Sequence, residues 1–398
     1  MIFMPGRHTM LGLALEGGGA RGAFQMGVVK ALLEEGYAFD GVTGTSIGAI
    51  NGAVIAQGAF EEGYGLWERA YPSLFFDLED EAFQKLMNRD VDKDTLLRMA
   101  SKLRMVIKNK GVDTSGIRRV LEEIIDEDRL RKSRILFGLV TVSLSDFKAC
   151  ELYKEDIPAG KMVDYLIASA TFPGFKLTRI DDRRYIDGGI INNCPINLLA
   201  NKGIKEIIAV RTLAPGIYRT VRDPDIKLTV IKPSDDLGRV MDFNNALIKR
   251  NLKMGYYDAI RQIKGLKGRK YTIRPVSEDH VFQLLQSLSE ESIQEMGKIY
   301  GLEEMNPKRM LFEEILPQAS ERLSLAKNAS YQDIVIALLE LLAEQKGINK
   351  YEIYTFDAFM DLLKTEGSHK TDEPGFKLRL LDKKPHLLKT AQTIIRAV

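Results

Sequence analysis

A serine between glycines, Gly44-Thr45-Ser46-Ile47-Gly48, follows shortly after a glycine loop, Gly17-Gly18-Gly19-Ala20-Arg21-Gly22. A Gly-x-Ser-x-Gly elbow takes the chain from a strand through a sharp turn into a helix, and small flanking residues let the hydroxyl project. Ser46 is the candidate nucleophile, with Gly44 and Gly48 as its flanks. If Met10 to Glu16 is a buried strand and Gly22 to Glu34 a helix, the loop joining them leaves backbone N–H groups unpaired. Gly17, Gly18, Gly19, Arg21 and Gly22 are then candidates for holding an oxyanion. The chemistry would be acyl transfer by a serine hydrolase.

Each motif alone has another reading. Gly17-x-Gly19-x-x-Gly22 also fits a dinucleotide fingerprint, with Asp40 at about the ~20-residue spacing of a ribose-binding acid. Gly44, Gly48 and Gly52 recur every fourth residue, as on a helix face packed closely on its neighbours. A third motif decides: Tyr185-Ile186-Asp187-Gly188-Gly189, with Asn193 and Pro195 shortly after. Alone, its Asp-Gly pair would mark only a turn. With all three motifs in this order, the chain resembles the patatin-like phospholipase family, of the bacterial type with an additional C-terminal helical region. Ala168 to Phe175 is similar to the family's small-residue stretch before the aspartate strand, and reads as scaffold, a helix end stopped by Pro173. The resemblance covers residues 10 to 260.

This resemblance implies a Ser46–Asp187 dyad, with Gly188 and Gly189 shaping the aspartate turn, acting on a lipid ester without cofactor or metal. The four histidines, His8, His280, His369 and His386, sit in no motif, so no Ser-His-Asp triad is legible. Asp187 must then take the serine proton directly. A free aspartate, with pKa near ~3.9, is a weak base, so the arrangement needs desolvation and an oxyanion hole built on N–H groups around Gly18 and Gly19. Arg21 has two roles open to it: meeting a headgroup phosphate, or bracing the loop through nearby carbonyls. Hydrolysis would pass through an acyl-enzyme. A catalytically silent lipid-binding or scaffolding protein and a dinucleotide-binding oxidoreductase are the alternatives.

The elements that must position these residues alternate between strand and helix. Strands are expected near Met10 to Glu16, Gly41 to Gly44, Ile135 to Ser143, Arg184 to Asp187, Glu206 to Arg211 and Lys227 to Ile231. The fold class is therefore α/β, a helix-flanked, largely parallel sheet. Ile47, Ile50 and Val54 are expected to face its core. A charged insertion from Glu61 to Asp128, with helices at Leu96 to Ile107 and Ile117 to Ile125, would pack on the sheet or serve as a lid. After a helix from Asp242 to Ile263, the Gly265 to Arg269 stretch marks a boundary. The expected domains are 1–264, catalytic, and 265–398, α-helical, with helices at Val281 to Ile293, Tyr331 to Ala343 and Ala358 to Leu363. In the last helix, Leu387, Leu388, Ala391, Ile394, Ile395 and Val398 share a face, with Lys383, Lys384, Lys389 and Arg396 nearby. That pattern suits a peripheral contact with an anionic membrane or docking onto the protein itself.

Composition narrows the partners. With 57 basic and 55 acidic side chains the net charge is +2, which gives no reason to expect nucleic acid. Two cysteines, Cys150 and Cys194, are too few for a disulfide framework and fit a reducing compartment. No apolar run approaches the ~20 residues of a membrane span. Leu11 to Leu15 is too short for a signal-peptide core. A cytoplasmic protein, at most peripheral to a membrane, is expected.

Overall fold

The computed structural model describes residues 10–76, 111–302, 304–365 and 385–397. They form two compact units, one running to Ala259 and the other starting at Ile260. The expected Leu96 to Ile107 helix lies outside the described residues, as do His8, His369, Lys383, Lys384 and Val398. No described helix is long and apolar enough to cross a membrane.

The first unit is built on an eight-stranded sheet with helices against it. Its strands are β1 (Leu11–Leu15), β2 (Gly41–Thr45), β3 (Leu136–Ser143), β4 (Lys148–Tyr153), β5 (Thr178–Ile180), β6 (Arg183–Asp187), β7 (Glu206–Val210) and β8 (Lys227–Ile231). The run β3-β2-β1-β7-β8 is parallel throughout. Leu-Gly-Leu-Ala-Leu supplies β1, a strand between two parallel neighbours, where a near-continuous apolar sequence is required. β2 is wholly buried although it carries two threonines. Their hydroxyls are satisfied by donating to Pro195 O (3.0 Å) and Asn192 O (2.8 Å), which tethers the segment after Asp187 to the sheet.

Two antiparallel strands, β4 and β5, escape the sequence pattern. β4 is a mixed Lys-Ala-Cys-Glu-Leu-Tyr segment and β5 has three residues. β4 pairs with one edge of β3, from Gly138↔Tyr153 to Ser143↔Lys148. The opposite edge is shared. Its first part pairs in parallel with β2 as far as Val140↔Thr45, and its end pairs antiparallel with β6 from Thr141↔Asp187. β2 and β6 therefore run head to head along β3, and their last residues oppose consecutive positions on it. Helices α1 (Gly22–Glu34) and α2 (Ile47–Ala56) follow β1 and β2.

The second unit packs helices Glu278–Ser287, Glu290–Tyr300, Tyr331–Lys346, Phe356–Lys364 and Pro385–Ala397 about one core. Val335, Leu338 and Leu339 are fully buried in it. Ser330 and Asp333 form a capping box at the start of the third of these helices, and left-handed Gly347 ends it. The helix expected through Val281 to Ile293 is two helices, because Leu288 leaves helical geometry and Ser289 caps the next by accepting from Ser292 N. A purely helical reading also misses β9 (Thr272–Ile273) and β10 (Ile353–Tyr354), which pair in parallel. The last helix corrects the membrane reading of its apolar face: Leu387, Ala391, Ile394 and Ile395 are buried in this unit's own core.

Candidate active site

Ser46 joins β2 to α2 with φ 56° and ψ −126°, a backbone geometry that persists for a side-chain-bearing residue only where its surroundings enforce it. Close packing does so. A Cβ on Gly44 would lie 2.1 Å from Gly48 O, and one on Gly48 would lie 2.3 Å from Leu15 O, so only glycine fits on either side. The Ser46 N–H donates to Ser169 Oγ (2.9 Å), which donates in turn to Val140 O (2.7 Å). Ser169, read from the sequence as scaffold, thus fixes the elbow to β3.

Asp187 ends β6, and Gly188 and Gly189 form the turn that follows. Its carboxylate is buried, accepts the Gly189 N–H at 2.7 Å and interacts with the Ser46 hydroxyl, the two residues lining one cavity. Burial raises its pKa from the ordinary 3.8 to about 6, while the two interactions act in the opposite direction. A carboxylate in this state accepts a proton more readily than a solvated aspartate.

The glycine loop covers the pair. Gly17 N–H donates to Asn193 O (3.0 Å), Ala20 N–H to Val240 O (2.7 Å) and Arg21 N–H to Gly18 O (3.1 Å). The N–H groups of Gly18 and Gly19 have no partner among the described residues, and both glycines line the cavity that Ser46 and Asp187 also line. Gly19 holds φ +54°, and a Cβ there would meet Val240 O at 2.2 Å. Gly22 begins α1. The Arg21 guanidinium donates to the carbonyls of Gly238 (2.8 Å), Leu213 (2.9 Å) and Thr212 (3.2 Å), so it braces the loop.

Glu16, which the sequence reading passed over, anchors the same region from below. Fully buried, it accepts from Arg211 Nε (2.7 Å), Thr212 N (2.7 Å), Leu213 N (3.3 Å) and Asn193 Nδ2 (3.4 Å), and it also bonds the Tyr218 hydroxyl. The available signal was an acid placed at the end of an apolar strand. Asp40, by contrast, is on the wrong end of β2 for a ribose. It precedes Gly41, which pairs with Gly12, and its carboxylate accepts the Leu11 N–H, at the strand end opposite the glycine loop. A dinucleotide site needs that acid at the strand ends where the glycine loop lies. His280 and His386 are exposed residues of the second unit, and no histidine is among the described residues lining the cavity. No group of three or more His, Cys, Asp or Glu among the described residues is placed to hold a metal ion.

Ser46 opens into a cavity enclosing about 1180 Å³, its mouth included. Ile50 and Val54 of α2 are buried in the core as expected, with Ile47 packed against it, and all three also line the cavity. Both described flanks of the insertion contribute walls, Phe75 and Phe76 from one side and Val120 and Leu121 from the other. Trp67 and Phe243 stack in the wall with ring planes 5° apart. The Trp67 indole donates to Asn51 Oδ1 (3.0 Å), Asn51 Nδ2 donates to Gln25 Oε1 (2.9 Å), and the Gln25 amide donates to Glu16 O. The wall is thereby hydrogen-bonded through to the glycine loop. No lysine or arginine is among the described lining residues.

Residues 13–200 match the family model described as Patatin-like phospholipase. This stretch is a patatin-like phospholipase domain. Patatin-like phospholipase domain-containing protein 7 of Mus musculus is 26% identical to this chain over 205 residues, 50% of this chain and 13% of that protein. An uncharacterized NTE family protein of Mycobacterium bovis is 26% identical over 199 residues, 50% of this chain and 48% of its own length. Lysophospholipase nte1 of Aspergillus terreus is 59% identical over 49 residues, 12% of this chain and 3% of that protein. The match thus spans a minor part of these relatives' lengths. The crystal structure of VipD from Legionella pneumophila superposes with a TM-score of 0.41 at 14% identity, over 97% of this chain and 92% of that one. Within the patatin-like domain fall the glycine loop, the serine elbow, the aspartate turn, Glu16 and Ser169.

Proposed function

We propose that the first unit hydrolyses carboxylic esters of phospholipids or related lipids through a Ser46–Asp187 dyad and an acyl-enzyme. The observation that carries this reading is the convergence of the Ser46 hydroxyl and the buried Asp187 carboxylate on one apolar cavity, beside two amides with no partner among the described residues. As Ser46 Oγ attacks the ester carbonyl carbon, Asp187 takes its proton, and the resulting oxyanion accepts from Gly18 and Gly19 N–H. Collapse breaks the ester bond, and the proton held by Asp187 passes to the departing alkoxide. Water then gives a proton to Asp187 and attacks the acyl-enzyme; the fatty acid leaves and Ser46 recovers its proton. Loss of one oxyanion donor costs on the order of 3 kcal/mol in the barrier, so the glycine loop ranks beside the carboxylate in importance.

The aromatic-rich lining, in which Asp187 is the one ionisable side chain among the described residues, suits an acyl chain and leaves a charged headgroup outside. The name of the Aspergillus terreus relative, lysophospholipase, supports including single-chain phospholipids among the substrates. A fluorophosphonate probe should label Ser46, and Ser46→Ala should lower hydrolysis of phospholipid and lysophospholipid by at least about 10³-fold while the protein remains folded. Turnover surviving in Ser46→Ala would overturn the assignment. Lipid retained by a wild-type protein that neither turns over nor takes the probe would identify a silent binding protein.

A further inference from the structure

Residues 213–217, in the segment joining β7 to β8, bond their main chain to the site's framework and expose their two large side chains. Leu213 N donates to buried Glu16, and Leu213 O accepts from Arg21 (2.9 Å). Ile217 N donates to Gly189 O (2.9 Å), and Ile217 O accepts from Asn193 N (2.7 Å). Ala214 O accepts from the Tyr218 hydroxyl (2.6 Å), and Pro215 has no N–H to satisfy. The side chains of Leu213 and Ile217 are 52% and 50% exposed, while Ala214 and Pro215 between them line the cavity. Leu213 keeps φ 54°, a left-handed geometry that disfavours leucine, under the clamp of Glu16 and Arg21.

We propose that residues 213–217 enter a lipid surface, with Leu213 and Ile217 as the inserted side chains and the cavity opening beside them. In purpose this rests on the hydrolase reading, since it would deliver an ester from the surface to Ser46. A hydrocarbon environment tolerates backbone only when its polar groups are bonded within the protein, and the groups flanking both exposed side chains are so bonded. Leu-Ala-Pro-Gly-Ile carries no polar side chain with which to recognise a protein partner. Of the cations beside the segment, Arg21 is turned onto main-chain carbonyls and Arg211 and Arg219 are paired with Glu16 and Glu151, so the surface need not be anionic. Phe147 is more exposed, at 88%, but it stands in the β3–β4 turn with no cavity-lining neighbour.

Flotation of the full chain with phosphatidylcholine vesicles tests this. Leu213→Asn suits the left-handed backbone, and joined with Ile217→Asn it removes both apolar side chains while keeping the main-chain bonds. The double variant should bind vesicles at least tenfold more weakly and lose hydrolysis of a vesicle-borne ester in proportion, with turnover of a dispersed short-chain ester held within twofold. Vesicle binding equal to that of the unsubstituted protein would overturn the proposal, as would an equal loss on the dispersed ester, which would make the loop a wall of the site. Ser46→Ala separates the two readings. If it binds vesicles through these side chains and no form hydrolyses any ester, docking stands and the hydrolase fails; if esters are hydrolysed but the double variant docks normally, the reverse holds.

Discussion

In the proposed dyad Asp187 must be charged to accept the proton of Ser46, yet it is buried where charge is disfavoured. Its pKa of about 6 therefore sets the acid limb of activity: kcat/KM should rise with pH through that value as the carboxylate ionises, and a profile flat from pH 5 to 8 would contradict the assignment. Stability has the opposite sign. A group whose pKa is raised on folding stabilises the fold below its unfolded value and loses that contribution as pH climbs through the folded one. Asp187→Asn should accordingly abolish turnover and yet be more stable than the parent at pH 8, by up to about 3 kcal/mol for a shift from 3.8 to about 6, the gain vanishing below pH 4 in urea titrations. At this scale the residues that the sequence singles out by local spacing, Gly18, Gly19, Ser46 and Asp187, do line one cavity. Glu16 was not legible, and Ser169 was legible only as scaffold, because their partners come from remote segments: Glu16 meets Asn193, Arg211, Thr212, Leu213 and Tyr218, and Ser169 meets Ser46 and Val140.

The convergence of serine and aspartate is decided by register along β3. Val140 and Thr141 are neighbours, and their partners across the ladder are Thr45 and Asp187. Because β2 runs parallel to β3 and β6 antiparallel, both strands deliver their final residues to the same point. Slipping either strand by one residue would turn its side chains to the opposite face. Ser169 secures this junction by linking the Ser46 amide to the Val140 carbonyl. Ser169→Ala leaves both groups short of that partner, a deficit of about 1–3 kcal/mol per buried group. It should lower the thermal midpoint and slow fluorophosphonate labelling of Ser46 about tenfold, which corresponds to ~1.4 kcal/mol in the barrier. Labelling at the parental rate would mean that the glycine contacts alone hold the elbow. The parallel strands were visible in the sequence from the alternation of strand and helix patterns, but the head-to-head arrangement was not, since two strands ending on one edge of a third leave no periodic trace.

Over the whole molecule, everything assigned to chemistry lies between Glu16 and Phe243, in the first unit, and the second unit carries its own core from Tyr271 to Ile395. Helix-forming periodicity announced that second core. The small strands β9 and β10 went unseen, because a two-residue strand is too short to alternate. The apolar face of its last helix was visible, but what covers it could only be learned from packing. The chain contains a single tryptophan, and it is Trp67, 5% exposed in the cavity wall with its indole bonded to Asn51. All indole fluorescence therefore originates where an acyl chain would lie. A brominated fatty acid should quench that emission on entering, in proportion to occupancy and with no attached dye, whereas an unchanged spectrum at saturating ligand would place the chain elsewhere. The wall is thus its own optical gauge, able to time the filling and emptying of the pocket during turnover.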